Sequence, residues 1–307
     1  MIRVSEEMGQ SAASRLHIAV MVEEVVALVR ALNPMTVVDA TVGTGGHAEA
    51  LLLATDAHLL GIDRDAEALA AAADRLGGFG GRVTLRQADF RDLPEVLDQS
   101  GMPFVNVVLA DLGMSSFALD NGSRGFSFQH DGPLDMRMDQ RQALSAHSLV
   151  NEEAEEELAR VLLEYGEEHA ARRIARAIVQ ARRRRPIATT GELRGVVESA
   201  VGSGRRGGIH PATRTFQALR IAVNGEIESL AALLKHGPER LGAGGRMITI
   251  AYHSLEDRPI KQRFRGLAAG GGFAAVTRKA LRPSAAEAAS NRRARSARLR
   301  CIERAVQ

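Results

Sequence analysis

The stretch Asp39-Ala-Thr-Val-Gly43-Thr-Gly45-Gly46-His47-Ala48 decides the fold. It follows the strand-like run Thr36-Val37-Val38 and precedes a small-residue helical pattern through Glu49 to Ala54. Glycines at a strand-to-helix turn permit a tight bend and let the backbone approach a ligand, and the helix N-terminus offers free N–H groups. A second buried-strand pattern, His58 to Ile62, ends in Asp63, twenty residues after Gly43. A carboxylate at that place can accept hydrogen bonds from both ribose hydroxyls of an adenosine. Loop, spacing and strand context together predict an adenosine-cofactor site.

Outward from the loop, strand and helix patterns alternate. Asp65 is placed to cap an Ala-rich helix from Ala66 to Leu76. A third strand starts at Val83 and runs to Asp89, and a fourth spans Val105 to Asp111. Continuous apolar runs separated by helices predict a parallel sheet covered on both faces and, with right-handed crossovers, a doubly wound α/β fold. The rhythm then breaks. Residues 112–144, rich in Gly, Asp, Met and Phe, read as an ordered loop; 148–202 read as charged helices; 202–208 as a Gly/Arg linker. A long amphipathic helix is expected from Pro211 to Leu234, a returning strand from Arg246 to Tyr252, and a closing hairpin from Phe273–Lys279 and Ala297–Glu303. The domain plan is one α/β domain, 17–117 with 215–307, carrying a helical insertion at 118–214.

The chain has 307 residues, 45% hydrophobic and 25% charged, with ordinary globular composition. No run of about 18 apolar residues is present, so no membrane partner is expected. The acidic N-terminal segment has no apolar core of a secretory signal, and Cys301 is the sole cysteine, so a reducing cytoplasm is the expected location. The pI of 9.5 comes with uneven charge. Arg172, Arg173, Arg176 and Arg182 to Arg185 form one basic block; Arg292, Arg293, Arg295, Arg298 and Arg300 form another. Such asymmetry suggests a polyanionic partner, against the plainer reading of a solvated helix face.

Glycines alone leave the cofactor open, because Gly43-x-Gly45-x-x-Ala48 also satisfies the loose dinucleotide pattern. Asp39 tilts the choice. A carboxylate in the strand before the loop suits the amino group of S-adenosylmethionine and gains nothing beside a pyrophosphate. Asp89-Phe90 and Asp111, at the ends of the third and fourth strands, point to the same crevice, since ligands of open α/β sheets bind outside the carboxyl ends of the strands.

Further blocks follow in order: Gly61-Ile-Asp-Arg-Asp65, Asp111-Leu-Gly-Met-Ser-Ser116, Arg124-Gly-Phe-Ser-Phe128, Asp131 to Asp139, Tyr165-Gly-Glu-Glu168, His210 to Arg220, His253-Ser-Leu-Glu-Asp-Arg258 and Arg293 to Arg300. With the cofactor loop, they resemble the bacterial 16S rRNA cytosine-N4 methyltransferase family over about His17 to Arg300. The resemblance implies a Rossmann-like class I S-adenosylmethionine methyltransferase domain with a helical RNA-recognition insertion, and methylation of N4 of a cytidine in the decoding region of 16S rRNA. It implies cofactor contacts at Gly45, Gly46, His47, Asp63, Phe90 and Asp111, and 16S rRNA or the small ribosomal subunit as partner; a homodimer is compatible with it. The chain departs from the family pattern at Ala19, at Phe117-Ala118, where proline and glutamine are usual, and at Asn291-Arg292-Arg293. A paralogue with another RNA target, or an rRNA-binding assembly factor without catalysis, are the alternatives.

Methyl transfer is an in-line displacement that depends on alignment. Methylation at carbon 5 of a cytosine needs a cysteine nucleophile; Cys301 reads as a small buried core residue, so nitrogen is the expected target. Two catalytic candidates stand at strand ends. Asp111 is placed to accept from the target amine or to hold the cofactor. His253 is placed to take or relay a proton, with Glu256 and Asp257 either assisting or capping the next helix. Phe126 and Phe128 would either stack on an extruded base or sit in a core. The carboxylates Asp131, Asp135 and Asp139 have metal-like spacing, but the apolar residues between them argue against a cation loop, and no metal is expected. For RNA, charge density favours Arg182, Arg183, Arg184 and Arg185. Of Arg214 and Arg220, six apart, one is expected to meet phosphate and the other to pair inside.

Overall fold

A computed structural model describes residues 19–114, 119, 121–204 and 210–306. Helix α1 (Val22–Arg30), β1 (Thr36–Asp39), α2 (Gly46–Ala54), β2 (His58–Asp63), α3 (Ala66–Leu76), β3 (Val83–Gln87), α4 (Leu93–Gln99) and β4 (Val105–Asp111) alternate along the first part. Helices α5 (Ala146–Glu152), α6 (Glu155–Gly166), α7 (Ala171–Arg182), α8 (Thr190–Val201), α9 (Ala212–Asn224) and α10 (Glu226–His236) follow. The last part holds β5 (Leu241–Ala251), α11 (Ser254–Ala269), β6 (Phe273–Ala275), α12 (Ala285–Ser290) and β7 (Arg298–Arg304). The chain divides into two compact units, Met1–Phe117 with Leu230–Gln307, and Ala118–Ser229.

The first unit holds a seven-stranded sheet in the order β3-β2-β1-β4-β5-β7-β6. Strands β1 to β5 are mutually parallel, and β7 runs antiparallel to both β5 and β6. This is the Rossmann-like α/β fold expected, and its register explains the continuous apolar runs. Val37, Leu59, Val107 and Ile248 bury one face against α1, α2 and α3. Val38, Leu60, Val108 and Met247 bury the other against α4, α10 and α11. Both faces are therefore dry, and each Leu or Val so buried contributes roughly 1.5–3 kcal/mol. Asp65 caps α3 by accepting from the N–H groups of Glu67 and Ala68.

Three expectations change. The C-terminal segments pair antiparallel as expected, but β6 stops at Ala275, well short of Lys279, and residues 276–297, including α12, connect it to β7. Strand β5 begins earlier than expected and ends at Ala251, before Tyr252. The long helix expected to Leu234 breaks at Gly225, whose φ of +55° takes the left-handed conformation that ends α9.

The second unit is helical. Helix α9 packs against α6, and α6 against α7; a Cβ on Gly166 would lie 2.8 Å from the Arg214 carbonyl oxygen, so only glycine allows this approach. That packing carries the unit to Ser229 and corrects the expected boundary at 214. Segment 121–145 is irregular but ordered: buried Arg124 donates to the carbonyls of Arg137 and Met138, and Asn224 bonds the Met138 N–H and the Met136 carbonyl. His17, Ser115, Ser116, Phe117, Ala118 and 205–208 of the expected linker lie outside the described residues.

Candidate cofactor and methyl-transfer site

The loop after β1 is built by its glycines. Gly43 and Gly45 have φ of +52° and +84°, values a side chain strains. A Cβ on Gly45 would also press within 3.3 Å of Leu76. Gly46 and His47 then open α2, whose N-terminus has no side-chain cap, so its first-turn N–H groups are not satisfied by a capping side chain. Asp63, at the end of β2, ties the loop down. Its Oδ2 accepts from Gly43 N–H at 2.8 Å and its Oδ1 from Asp65 N–H at 2.9 Å. Burial pushes its carboxyl above the ordinary value, against these two hydrogen bonds. Phe90 starts a short 3-10 turn, Phe90–Asp92, after β3. The Arg64 guanidinium lies 5.6 Å from its ring centroid and pairs with Asp89 at 2.9 Å.

Four ionisable side chains meet where β1, β4 and β5 end. Asp39 is 1% exposed; burial raises its carboxyl to about 6, although His47 and the Thr41 N–H pull the other way. His47 Nε2 lies 3.4 Å from Asp111 Oδ2. Burial depresses the imidazole, but the hydrogen bond and charge of Asp111, with the charge of Asp39, more than offset it and leave it raised. Asp111 shows the converse. Burial opposes its ionisation, yet His47, the Tyr252 hydroxyl and the Gly113 N–H together hold its carboxyl below the ordinary range. Its backbone N–H is anchored on Thr41 Oγ1 at 2.7 Å. Tyr252 follows β5, and its ring lies so close to Gly113 that a Cβ there would come within 2.6 Å. Burial and the Asp111 charge drive its phenol strongly upward, so it stays a donor.

The residues present fit a cationic nucleoside. Thr44 Oγ1 is buried without a hydrogen-bond partner among the described residues, an arrangement that normally signals an absent ligand or water. Carboxylates end β1, β2 and β4 and accept from hydroxyl or ammonium groups.

The model of the MraW methylase family matches residues 14–305. The chain belongs to that family. It is 47% identical to a protein of Symbiobacterium thermophilum called Ribosomal RNA small subunit methyltransferase H, over 93% of this chain and 96% of that one. A protein of Syntrophotalea carbinolica with the same name is 48% identical, covering 94% and 98%. Among solved structures, an rRNA methylase from Streptococcus thermophilus aligns over 95% of this chain and 100% of that one at 12% identity and a TM-score of 0.46. As a family member the chain is an S-adenosylmethionine-dependent methyltransferase.

His253, the other catalytic candidate, is the N-cap of α11. Its Nε2 lies 3.0 Å from Glu256 Oε1, while Glu256 Oε2 accepts from the Tyr252 N–H at 2.8 Å. Glu256 is thus a capping residue that also sets the His253 ring. Asp257 instead receives Arg298 and Arg300, at 3.1 and 2.7 Å. Sequence reasoning missed Tyr252, read as the last strand residue, and Glu287, whose carboxylate accepts from Met21 N–H at 2.7 Å and adds negative charge near His47 and Tyr252. Being next to His253 was the one signal for Tyr252; nothing in the sequence points to Glu287.

In the second unit, the RNA candidates separate. Arg182 donates to the carbonyls of Val150 and Glu153, and Arg185 pairs with Glu192. Arg183 and Arg184 are exposed and have no side-chain partner among the described residues. Arg214 reaches the Glu167 carbonyl at 3.1 Å, and Arg220 pairs with Glu226 at 2.8 Å. Phe126 is core, 6% exposed, whereas Phe128 packs on His210 and Phe216 with centroids 4.7 and 5.0 Å away. The three spaced carboxylates do different work: Asp131 accepts from Gly191 N–H, Asp135 pairs with Arg137 and Asp139 with Arg141. Among the described residues no group of three or more His, Cys, Asp or Glu is arranged to hold a metal ion, and no helix is long and apolar enough to cross a membrane.

Proposed function

We propose that the chain methylates N4 of a cytidine in the decoding region of 16S rRNA, within the cytoplasm. The observation that carries the reading is Asp111: a buried carboxylate kept ionised between His47 and Tyr252 at the end of β4, where an exocyclic amine needs an acceptor.

When bound, S-adenosylmethionine supplies a methyl group on a sulfonium, ready for displacement. Gly45 and Gly46 would bring backbone and helix N–H groups to it, Asp63 would accept from its ribose hydroxyls, Phe90 would flank its adenine, and Asp39 and His47 would hold its amino-acid end. The lone pair of cytosine N4 is delocalised into the ring. Asp111, accepting from the amine, favours a pyramidal nitrogen and aligns it. The nitrogen, once methylated, would have to shed a proton, for which His253 is the positioned acceptor. Arg183, Arg184 and Arg214 supply phosphate contacts, with Arg182 and Arg185 shaping the segment around them. Cys301 takes no part; it is 1% exposed and burial pushes its thiol up to about 12, which disfavours the thiolate that carbon-5 chemistry requires.

The test is methyl transfer from labelled S-adenosylmethionine into small subunits isolated from cells lacking the protein, followed by mass spectrometry of the nucleosides. The expected product is N4-methylcytidine in the decoding region, abolished by D111A and H253A together. A 5-methylcytidine product, or transfer unaffected by that pair, refutes the reading.

A further inference from the structure

The C-terminal arginine block takes no part in the mechanism above, yet the fold carries it to the active edge. Strand β7 is antiparallel to β5, so its first residue, Arg298, lies across from Ala251, where β5 hands over to Tyr252 and His253. Asp257, one helical turn past His253, is 8% exposed and receives both guanidinium groups. Arg300 binds it through Nε at 2.7 Å and Nη2 at 3.2 Å, with a side chain 12% exposed. Arg298 touches Asp257 Oδ2 through Nη1 alone, at 3.1 Å, and its side chain is 31% exposed. The Nε of Arg298 is buried with no hydrogen-bond partner among the described residues. Two cations thus share one carboxylate, and one guanidinium keeps most of its five donors unspent. Asp257 stays ionised: burial opposes this, but Arg300 and Arg298 more than offset it. The arrangement holds Arg298 at the start of β7, across from Ala251, with two guanidinium groups sharing the Asp257 carboxylate.

The sheet order limits which anion this charge meets. The expected cofactor contacts lie over β1, β2 and β4, and β7 lies beyond β5. With strands about 4.8 Å apart, β7 is roughly 10 Å from β4 on the side away from β1. That is comparable with the span of one nucleotide from its exocyclic amine to its phosphate. We propose that Arg298, oriented by Asp257 beside His253, binds a backbone phosphate of the RNA strand at the target nucleotide. This rests on the RNA-methylation reading and adds to it an RNA contact on the sheet-bearing unit itself.

The experiment compares the full-length wild-type chain with Arg298→Met, which keeps the aliphatic stem, and Arg298→Lys, which keeps the charge. Affinity for a short fluorescein-labelled single-stranded RNA containing a cytidine is measured over a salt series, with S-adenosylmethionine affinity measured in parallel. Arg298→Met is expected to bind RNA about tenfold more weakly at low salt, with a log–log salt slope shallower by about 0.7. Arg298→Lys should keep the wild-type slope, and all three should bind S-adenosylmethionine equally. An unchanged slope for Arg298→Met overturns the proposal. So does a parallel loss of S-adenosylmethionine affinity in both variants, which would assign the anion to the cofactor. Failure of the wild type to methylate small subunits would instead strike the underlying reading, and the salt slope is independent of that result.

Discussion

Replacing Asp39 by asparagine should stabilise the sheet-bearing unit while weakening the cofactor site. The wild-type carboxyl is held at about 6 against an ordinary 3.8, a difference of about 2 pH units, or roughly 3 kcal/mol at about 1.4 kcal/mol per unit. The direction is against folding. An acid with a raised folded value is no burden below pH 3.8, where both states are protonated. Its cost grows as the pH rises towards 6 and is complete above. Asparagine removes that cost, and its Oδ1 can keep the hydrogen bond from the Thr41 N–H now made at 3.2 Å. With about 2–4 °C per kcal/mol for a unit of 150–250 residues, the melting transition should rise by roughly 5–10 °C at pH 8. The relevant transition is the one that S-adenosylmethionine shifts. The gap should shrink towards zero as pH falls to 4, while S-adenosylmethionine affinity drops about tenfold or more at pH 8. A variant that melts at or below wild type at pH 8, or a gap that ignores pH, would refute the reasoning.

Tyr252→Phe removes a donor that helps hold Asp111 ionised. The acid limb of kcat/KM, lost as pH falls through the Asp111 value, should move to higher pH; an unmoved limb counts against the Asp111 role. Arg182→Ala should lower the melting temperature of the helical unit by stranding the Val150 and Glu153 carbonyls, about 1–3 kcal/mol if they stay dry. Arg183→Ala with Arg184→Ala should leave melting unchanged and make the RNA salt slope shallower by about 0.7 per charge; a steady slope removes both from the interface. Cys301 should resist iodoacetamide in the native protein at pH 8, and Cys301→Ala should retain methyl transfer. Rapid native alkylation would contradict the burial of its thiol.

The strand–loop–helix grammar of the first half was legible because each signal is local. Val37 and Val38 alternate between two buried faces of a parallel sheet, which the apolar run shows without any partner strand being known. Gly43 and Gly45 sit at positive φ for reasons contained in the loop itself. The insertion's end was less legible. Gly225 breaks an amphipathic pattern that remains apolar on both sides, from Leu219 to Leu233, so periodicity runs through the bend and only the packing of α9 on α6 reveals the division. The closing antiparallel pair was legible from alternation in both segments, although only Phe273–Ala275 of the first forms a strand and the 276–297 connection was not readable.

The site divides along the same line. Asp39, Asp63 and Asp111 were readable because each ends a strand, and the fold places strand ends in one crevice. What determines their chemistry was not readable, since each depends on a group from another element. Asp111 is ionised through His47 from α2 and Tyr252 from beyond β5, while at the nearby Asp39 burial outweighs the charge of His47 and the Thr41 N–H and pushes the carboxyl towards neutrality. The arginine runs teach the same lesson in reverse. Arg182 to Arg185 look uniform in sequence, yet Arg182 and Arg185 are bound to protein groups while Arg183 and Arg184 have no side-chain partner among the described residues. Arg298 and Arg300, in the block that charge density ranked lower, converge on one carboxylate at the catalytic edge. Charge density counts cations, whereas binding depends on which of them folding leaves without a neutralising partner.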